Sequence, residues 1–161
     1  MIRAIVIGIG NMGLSHAMAL HKAQGVEIVA LVNRSSRTLP EELKGYPLLD
    51  SVEVALTHSP DLVVIATYSD SHCKLAIRAL ESGAHVFVEK PLATTVPEAR
   101  RVIETASRLN RKLVVGYILR HHPSWQRFIH EARGLNGPYV FRMNLNQQSF
   151  GGEWATHCAL M

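Results

Sequence analysis

Long apolar runs are missing from this chain. The most apolar stretches, AIVIGIG at 4–10 and LVVIAT at 62–67, are far shorter than a bilayer span, so no membrane partner is expected. Cysteine is scarce as well: Cys73 and Cys158 are too few and too far apart for a disulfide framework. The opening MIRAIVIGIG has neither the charged leader nor the cleavage site of a secretory signal, which makes the cytoplasm the expected location. Aromatic residues make up 6% of the chain, and its formal net charge of +4 is dispersed, with no basic tract. The densest basic stretch, ARRVIETASRLNRK at 99–112, reads as one helix with a solvated face, so no nucleic-acid partner is predicted. What remains is a hydrophobic content of 47% over 161 residues, enough for one domain with a sizeable core, or for one domain and a fragment of another.

Strand and helix patterns alternate along that domain. Apolar runs at 3–8, 26–32, 62–66, 85–89 and 112–116 read as strands, and they lack the polar alternation of a half-exposed sheet. Between them lie helical patterns at 12–24, with Met12, Ala19, Leu20 and Ala23 among the apolar positions, and at 52–58, 71–82 and 95–109. Gly83 reads as a helix stop, and Thr95 with Glu98 has capping-box spacing. Residues 34–50 read as loop around a short helical turn at PEELK. Strands buried on both faces predict a parallel sheet sandwiched by helices, hence a doubly wound α/β fold. The character changes near Gly116. A helix at 124–133 and a strictly alternating strand at 139–145, with Tyr139, Phe141, Met143 and Leu145 on one face, predict the start of a second, α+β domain. The expected domains are 1–118 and 119–161. Such a strand lacks later strands to pair with, which predicts a homo-oligomer formed through it.

Gly8, Gly10 and Gly13 form G-x-G-x-x-G between the first strand and the first helix. Alone the pattern is weak, but in this setting each glycine has a task. Gly8 allows the tight turn, Gly10 lets a pyrophosphate approach the backbone, and Gly13 lets helix and strand pack closely. Asn11, Met12 and Gly13 open a helix whose N-terminus offers N–H groups and partial positive charge to that pyrophosphate. At the end of the second strand, where an NAD site usually carries Asp or Glu, the sequence is NRSSR. Asn33, Arg34, Ser35 and Arg37 offer hydroxyls and guanidinium groups in place of a carboxylate, so NADP(H) is the preferred cofactor and NAD(H) a possible one. The alternative is that Arg34 and Arg37 are solvated loop charges.

Lys90 is the other unusual residue. The strand Val86–Phe87–Val88 runs directly into Glu89, Lys90 and Pro91. A solvated turn is the plain explanation. In a doubly wound sheet, however, ligands bind at the carboxyl ends of strands, where Thr67, Tyr68 and His72 also fall. There an ammonium can hold a substrate hydroxyl and accept or return its proton.

GIGNMG, ATYSDSHCKLAIRALESGAHVFVEKPLA and GYILRHHPSW occur in order. In these motifs the chain resembles the Gfo/Idh/MocA oxidoreductases, which include glucose–fructose oxidoreductase and inositol dehydrogenase. The resemblance implies an NAD(P)-binding Rossmann domain followed by an α/β domain with a large open sheet. It implies hydride transfer on a small hydroxylated substrate such as a sugar or cyclitol. It makes Lys90 the catalytic lysine, with Glu89 and Pro91 completing its motif, and it places Arg120 and His122 near the cleft.

The sequence departs from that family at its end. Members carry a D-x-G-x-H segment in the second domain, whereas this chain ends GGEWATHCALM, with Glu153 four residues before His157. The expectation is therefore a shortened second domain. The chain alone would be inactive, or would serve as a dinucleotide-binding or interaction module without catalysis. His121, His122, His157 and Cys158 lack ligand-type spacing, so no metal site is expected. Cys73 reads as a buried helix residue.

Overall fold

The computed structural model describes residues 1–135, 137–138, 140 and 142. They divide into two compact units, parting after Gly116. The first unit contains β1 (Ile2–Ile7), α1 (Asn11–Lys22), β2 (Val26–Val32), a 3-10 turn at Glu41–Leu43, β3 (Leu48–Leu49) and α2 (Val52–Leu56). It continues through β4 (Leu62–Ile65), α3 (Ser69–Glu81), β5 (His85–Val88), α4 (Val96–Arg108) and β6 (Leu113–Val115). The six strands form one sheet in the order β3-β2-β1-β4-β5-β6, and every neighbouring pair is parallel. This is the doubly wound order, whose direction reverses between β1 and β4.

Burial explains the apolar strands. Ala4 to Ile7 of β1 and Val63 to Ile65 of β4 are all buried, because helices cover both faces of the sheet. One core collects Ile5, Ile7, Val63, Ile65, Val86 and Val88 with Cys73, Ala76 and Leu80 of α3 and Val102 of α4. The opposite core collects Val6, Ile28, Leu31 and Val64 with Ala17 of α1 and Leu43. Each fully buried aliphatic side chain contributes roughly 1.5–3 kcal/mol. Burial also pushes the Cys73 thiol upward from its ordinary value, so it is no activated nucleophile.

Helix ends follow the expected chemistry. Thr95 caps α4, its hydroxyl accepting the Glu98 N–H at 3.4 Å and donating to the Glu98 carboxylate at 3.1 Å. Gly83 follows α3 with φ of +93°, which favours glycine.

One expectation is corrected here. The loop at 34–50 contains a sixth strand, β3: Pro47 O accepts the Leu31 N–H and Leu49 O accepts the Asn33 N–H, at 2.8 and 2.9 Å. Two residues are too short to show a period. On α1 the buried residues are Gly13 and Ala17, while Met12 is 43% exposed and Ala19 is exposed. That face is the one on which Gly13 closely approaches the Gly8 carbonyl after β1.

The second unit begins with a 3-10 turn at Ile118–Arg120 and α5 (Pro123–Arg133), which starts on a proline suited to the first helical position. Trp125 and Phe128 pack edge to face at 6.0 Å between ring centres. The strand expected at 139–145 lies outside the described residues, apart from Val140 and Arg142.

Candidate active site

The carboxyl ends of β1, β2, β4 and β5 carry most of the residues singled out in the sequence. Gly8 follows β1 with φ of +89°, and a Cβ there would lie 2.6 Å from the Ala66 carbonyl oxygen. A Cβ on Gly13 would lie 1.8 Å from the Gly8 carbonyl oxygen. These two glycines are required by the protein's own packing. Gly10 is different: its φ is −79°, and a Cβ there would meet nothing within 4 Å. Gly10 caps α1 without any side-chain hydrogen bond, and Asn11 and Met12 after it are exposed. The helix N-terminus therefore faces open space, which fits a dinucleotide's pyrophosphate.

Asn33 ends β2, and its side chain is engaged within the protein. Its Oδ1 accepts the Ile9 N–H at 3.0 Å, and its Nδ2 donates to the Ser35 carbonyl at 2.8 Å. It thus joins the glycine loop to the loop after β2. Arg34, Ser35, Ser36 and Arg37 are exposed, and among the described residues neither arginine is in an ion pair.

After β4, Thr67 and Ser71 share a hydroxyl–hydroxyl bond of 2.7 Å, and the Ser71 hydroxyl donates to Tyr68 O at 2.7 Å. Tyr68 is 56% exposed at the head of α3. His72 is placed otherwise than a cofactor contact would be. It is buried, with Nδ1 2.7 Å from Pro91 O and Nε2 3.0 Å from Thr67 O.

After β5, Glu89 is buried, Lys90 is exposed, and the Lys90–Pro91 peptide is cis. A buried carboxylate needs partners. His16 Nε2 on α1 donates to Glu89 Oε1 at 2.8 Å, and the Lys90 N–H donates to Glu89 Oε2 at 3.3 Å. The His16 bond holds the Glu89 carboxyl below its ordinary value, against burial, which pushes it up. Gly116 leaves the room: a Cβ there would come within 3.0 Å of Glu89 Oε1.

His16 is the residue that sequence reasoning missed. Its signal was a helical one, since it lies three residues after the buried Gly13 of α1. Arg120 belongs to the second unit, where its guanidinium lies over the Tyr117 ring at 5.3 Å. His122 precedes α5 there. Among the described residues no three His, Cys, Asp or Glu side chains converge on a metal position, and His157 and Cys158 lie outside them. No helix among the described residues is long and apolar enough to cross a membrane.

The glycine turn, the parallel order reversing at β1 and β4, and the Glu89–Lys90–Pro91 turn together describe a dinucleotide-binding oxidoreductase domain. The chain belongs to the Gfo/Idh/MocA oxidoreductases: residues 2–117 match the family described as "Oxidoreductase family, NAD-binding Rossmann fold". It is 33% identical over 123 residues to an inositol 2-dehydrogenase of Rubrobacter xylanophilus, a match covering 73% of this chain and 35% of the relative. It is 27% identical over 169 aligned positions to 4-carboxy-2-hydroxymuconate-6-semialdehyde dehydrogenase of Sphingobium sp., covering 96% of this chain and 53% of the relative. Among solved structures, GenD2 from gentamicin A biosynthesis, in complex with NAD, superposes with a TM-score of 0.76 at 27% identity, over 81% of this chain and 38% of that one. The chain thus spans about half or less of these relatives' lengths.

Proposed function

We propose that this chain binds NADP(H) in preference to NAD(H) and that Lys90 serves hydride transfer on a small hydroxylated compound, a sugar, cyclitol or relative of these. The observation that carries the reading is the placement of an exposed lysine and an open glycine cradle at carboxyl ends of one parallel sheet. Asn11, Met12 and the Gly10 backbone would hold the pyrophosphate, and Arg34, Ser35 and Arg37 the phosphorylated ribose. When bound, the nicotinamide gives or takes the hydride. Lys90 holds the substrate hydroxyl and moves its proton. Family membership supports the oxidoreductase class, and the relatives' names support the substrate class. A cytoplasmic location and self-association through residues 139–150 complete the proposal, both carried by the sequence.

Titration of the purified chain with NADPH and NADH tests it. Arg34→Ala should weaken NADPH about tenfold or more, the worth of one charge-assisted bond, and leave NADH nearly unchanged. Equal losses for both cofactors would overturn the NADP(H) assignment. Turnover of a polyol panel by a form as long as the family relatives should vanish in Lys90→Met while cofactor binding persists. Turnover that survives Lys90→Met would remove the lysine from the mechanism.

A further inference from the structure

Lys90 is exposed, and its ammonium is in no ion pair with the described residues. Sheet pairing ends at Glu89, whose N–H donates to Ile65 O at 2.8 Å. Something else must fix the backbone at Lys90, because a lysine on a loose turn would forfeit the orientation proton transfer needs.

The residues on either side of Lys90 are each bonded to a histidine. Glu89 accepts from His16 of α1 at 2.8 Å, and Pro91 O lies 2.7 Å from Nδ1 of His72 of α3. The two helices pack in opposite cores, so the bonds reach the turn from opposite faces of the sheet. Glu89 Oε1 and Pro91 O can only accept, so the clamp uses Nε2 of His16 and Nδ1 of His72 as donors. A neutral His72 ring in that tautomer has no proton left for Thr67 O. His16 also lies edge to face on Phe87, with ring centres 5.0 Å apart. Neither histidine is spare surface: His72 is 1% exposed, and the His16 side chain is 21% exposed. The same rings tie the turn to the cofactor loops. His16 stands on the helix that begins at the glycine cradle, and Nε2 of His72 reaches Thr67 O at 3.0 Å.

We propose that His16 and His72 are positioning residues that clamp the Glu89–Lys90–Pro91 turn from both faces of the sheet and hold it in register with the cofactor loops. This deepens the reading of Lys90 as the proton-transfer group and rests on it for its purpose, though not for its test.

The test uses the geometry of amide isosteres. A glutamine amide nitrogen stands near where Nε2 of histidine stands, and an asparagine amide nitrogen near where Nδ1 stands. His16→Gln therefore keeps the donor to Glu89, and His16→Phe keeps a ring on Phe87 without the donor. His72→Asn keeps the donor toward Pro91 O, and His72→Gln moves the amide nitrogen toward Thr67 O instead. Amide hydrogen exchange at Lys90 is followed by NMR in the full chain, with Val64 of β4 as the reference for global opening. Exchange at Lys90 should rise about tenfold relative to Val64 in His16→Phe and His72→Gln, and stay within about twofold of wild type in His16→Gln and His72→Asn. Equal exchange within each pair, or unfolding of the donor-keeping variants, would overturn the clamp. If only His16→Phe fails to fold, the His72 pair decides. Because exchange is read without substrate or turnover, failure of the hydride-transfer proposal would leave this result standing.

Discussion

The Oδ1 of Asn33 accepts the backbone N–H of Ile9 at 3.0 Å, across 24 residues of chain. One side chain at the end of β2 thereby sets the shape of the glycine loop after β1. The residue occupying the position of an acidic ribose reader is thus part of the scaffold for the phosphate cradle.

That double duty separates two substitutions. Asn33→Ala removes the Ile9 bond and should weaken NADPH and NADH alike, by about tenfold, the net worth of one hydrogen bond and its loop order. Asn33→Asp keeps an acceptor for Ile9 and adds a carboxylate that repels a 2′-phosphate, so preference should move toward NADH. Fluorescence titration of both cofactors measures the ratio, and an Asn33→Ala variant that loses NADPH alone would contradict the scaffold role.

The glycines should divide in the same way. Gly13→Ala places a Cβ 1.8 Å from the Gly8 carbonyl oxygen, so it should lose on the order of 3 kcal/mol of stability or fail to fold. Gly10→Ala meets nothing within 4 Å and has an ordinary φ, so its melting temperature should equal or slightly exceed that of the wild type. Its cofactor affinity should nevertheless fall by about tenfold or more, because the methyl group fills the pyrophosphate approach. Melting curves and titrations of the two variants decide the matter.

Glu89 predicts a pH effect. Its carboxyl is held low, chiefly by the His16 hydrogen bond and against burial, so the folded chain binds this proton less readily than the unfolded one. The stability it contributes is present above the ordinary value of 4.5 and is lost as the pH falls through the lowered native value. Wild type should therefore lose stability more steeply than Glu89→Gln between about pH 5 and pH 3. Urea unfolding of both across that range measures it. Glu53 and Glu98 are also held low but are common to both proteins, so the difference isolates Glu89. Parallel curves would show that the His16 bond contributes nothing to stability.

By itself the sequence determined the layered parallel fold, since buried strands must be apolar throughout and G-x-G-x-x-G between a strand and a helix has few other uses. It also determined the Thr95 cap and the Gly83 stop, because each depends on residues close in sequence. Tertiary structure alone decided what partners the polar residues take. Glu89 and His16 are 73 positions apart, and Asn33 and Ile9 are 24. His72, which looked like a ligand for the cofactor, is turned inward onto two carbonyl oxygens. Local pattern encodes burial and backbone conformation, whereas the direction of a polar side chain is set by whichever donor or acceptor the packed sheet brings within 3 Å, and chain spacing carries no record of that.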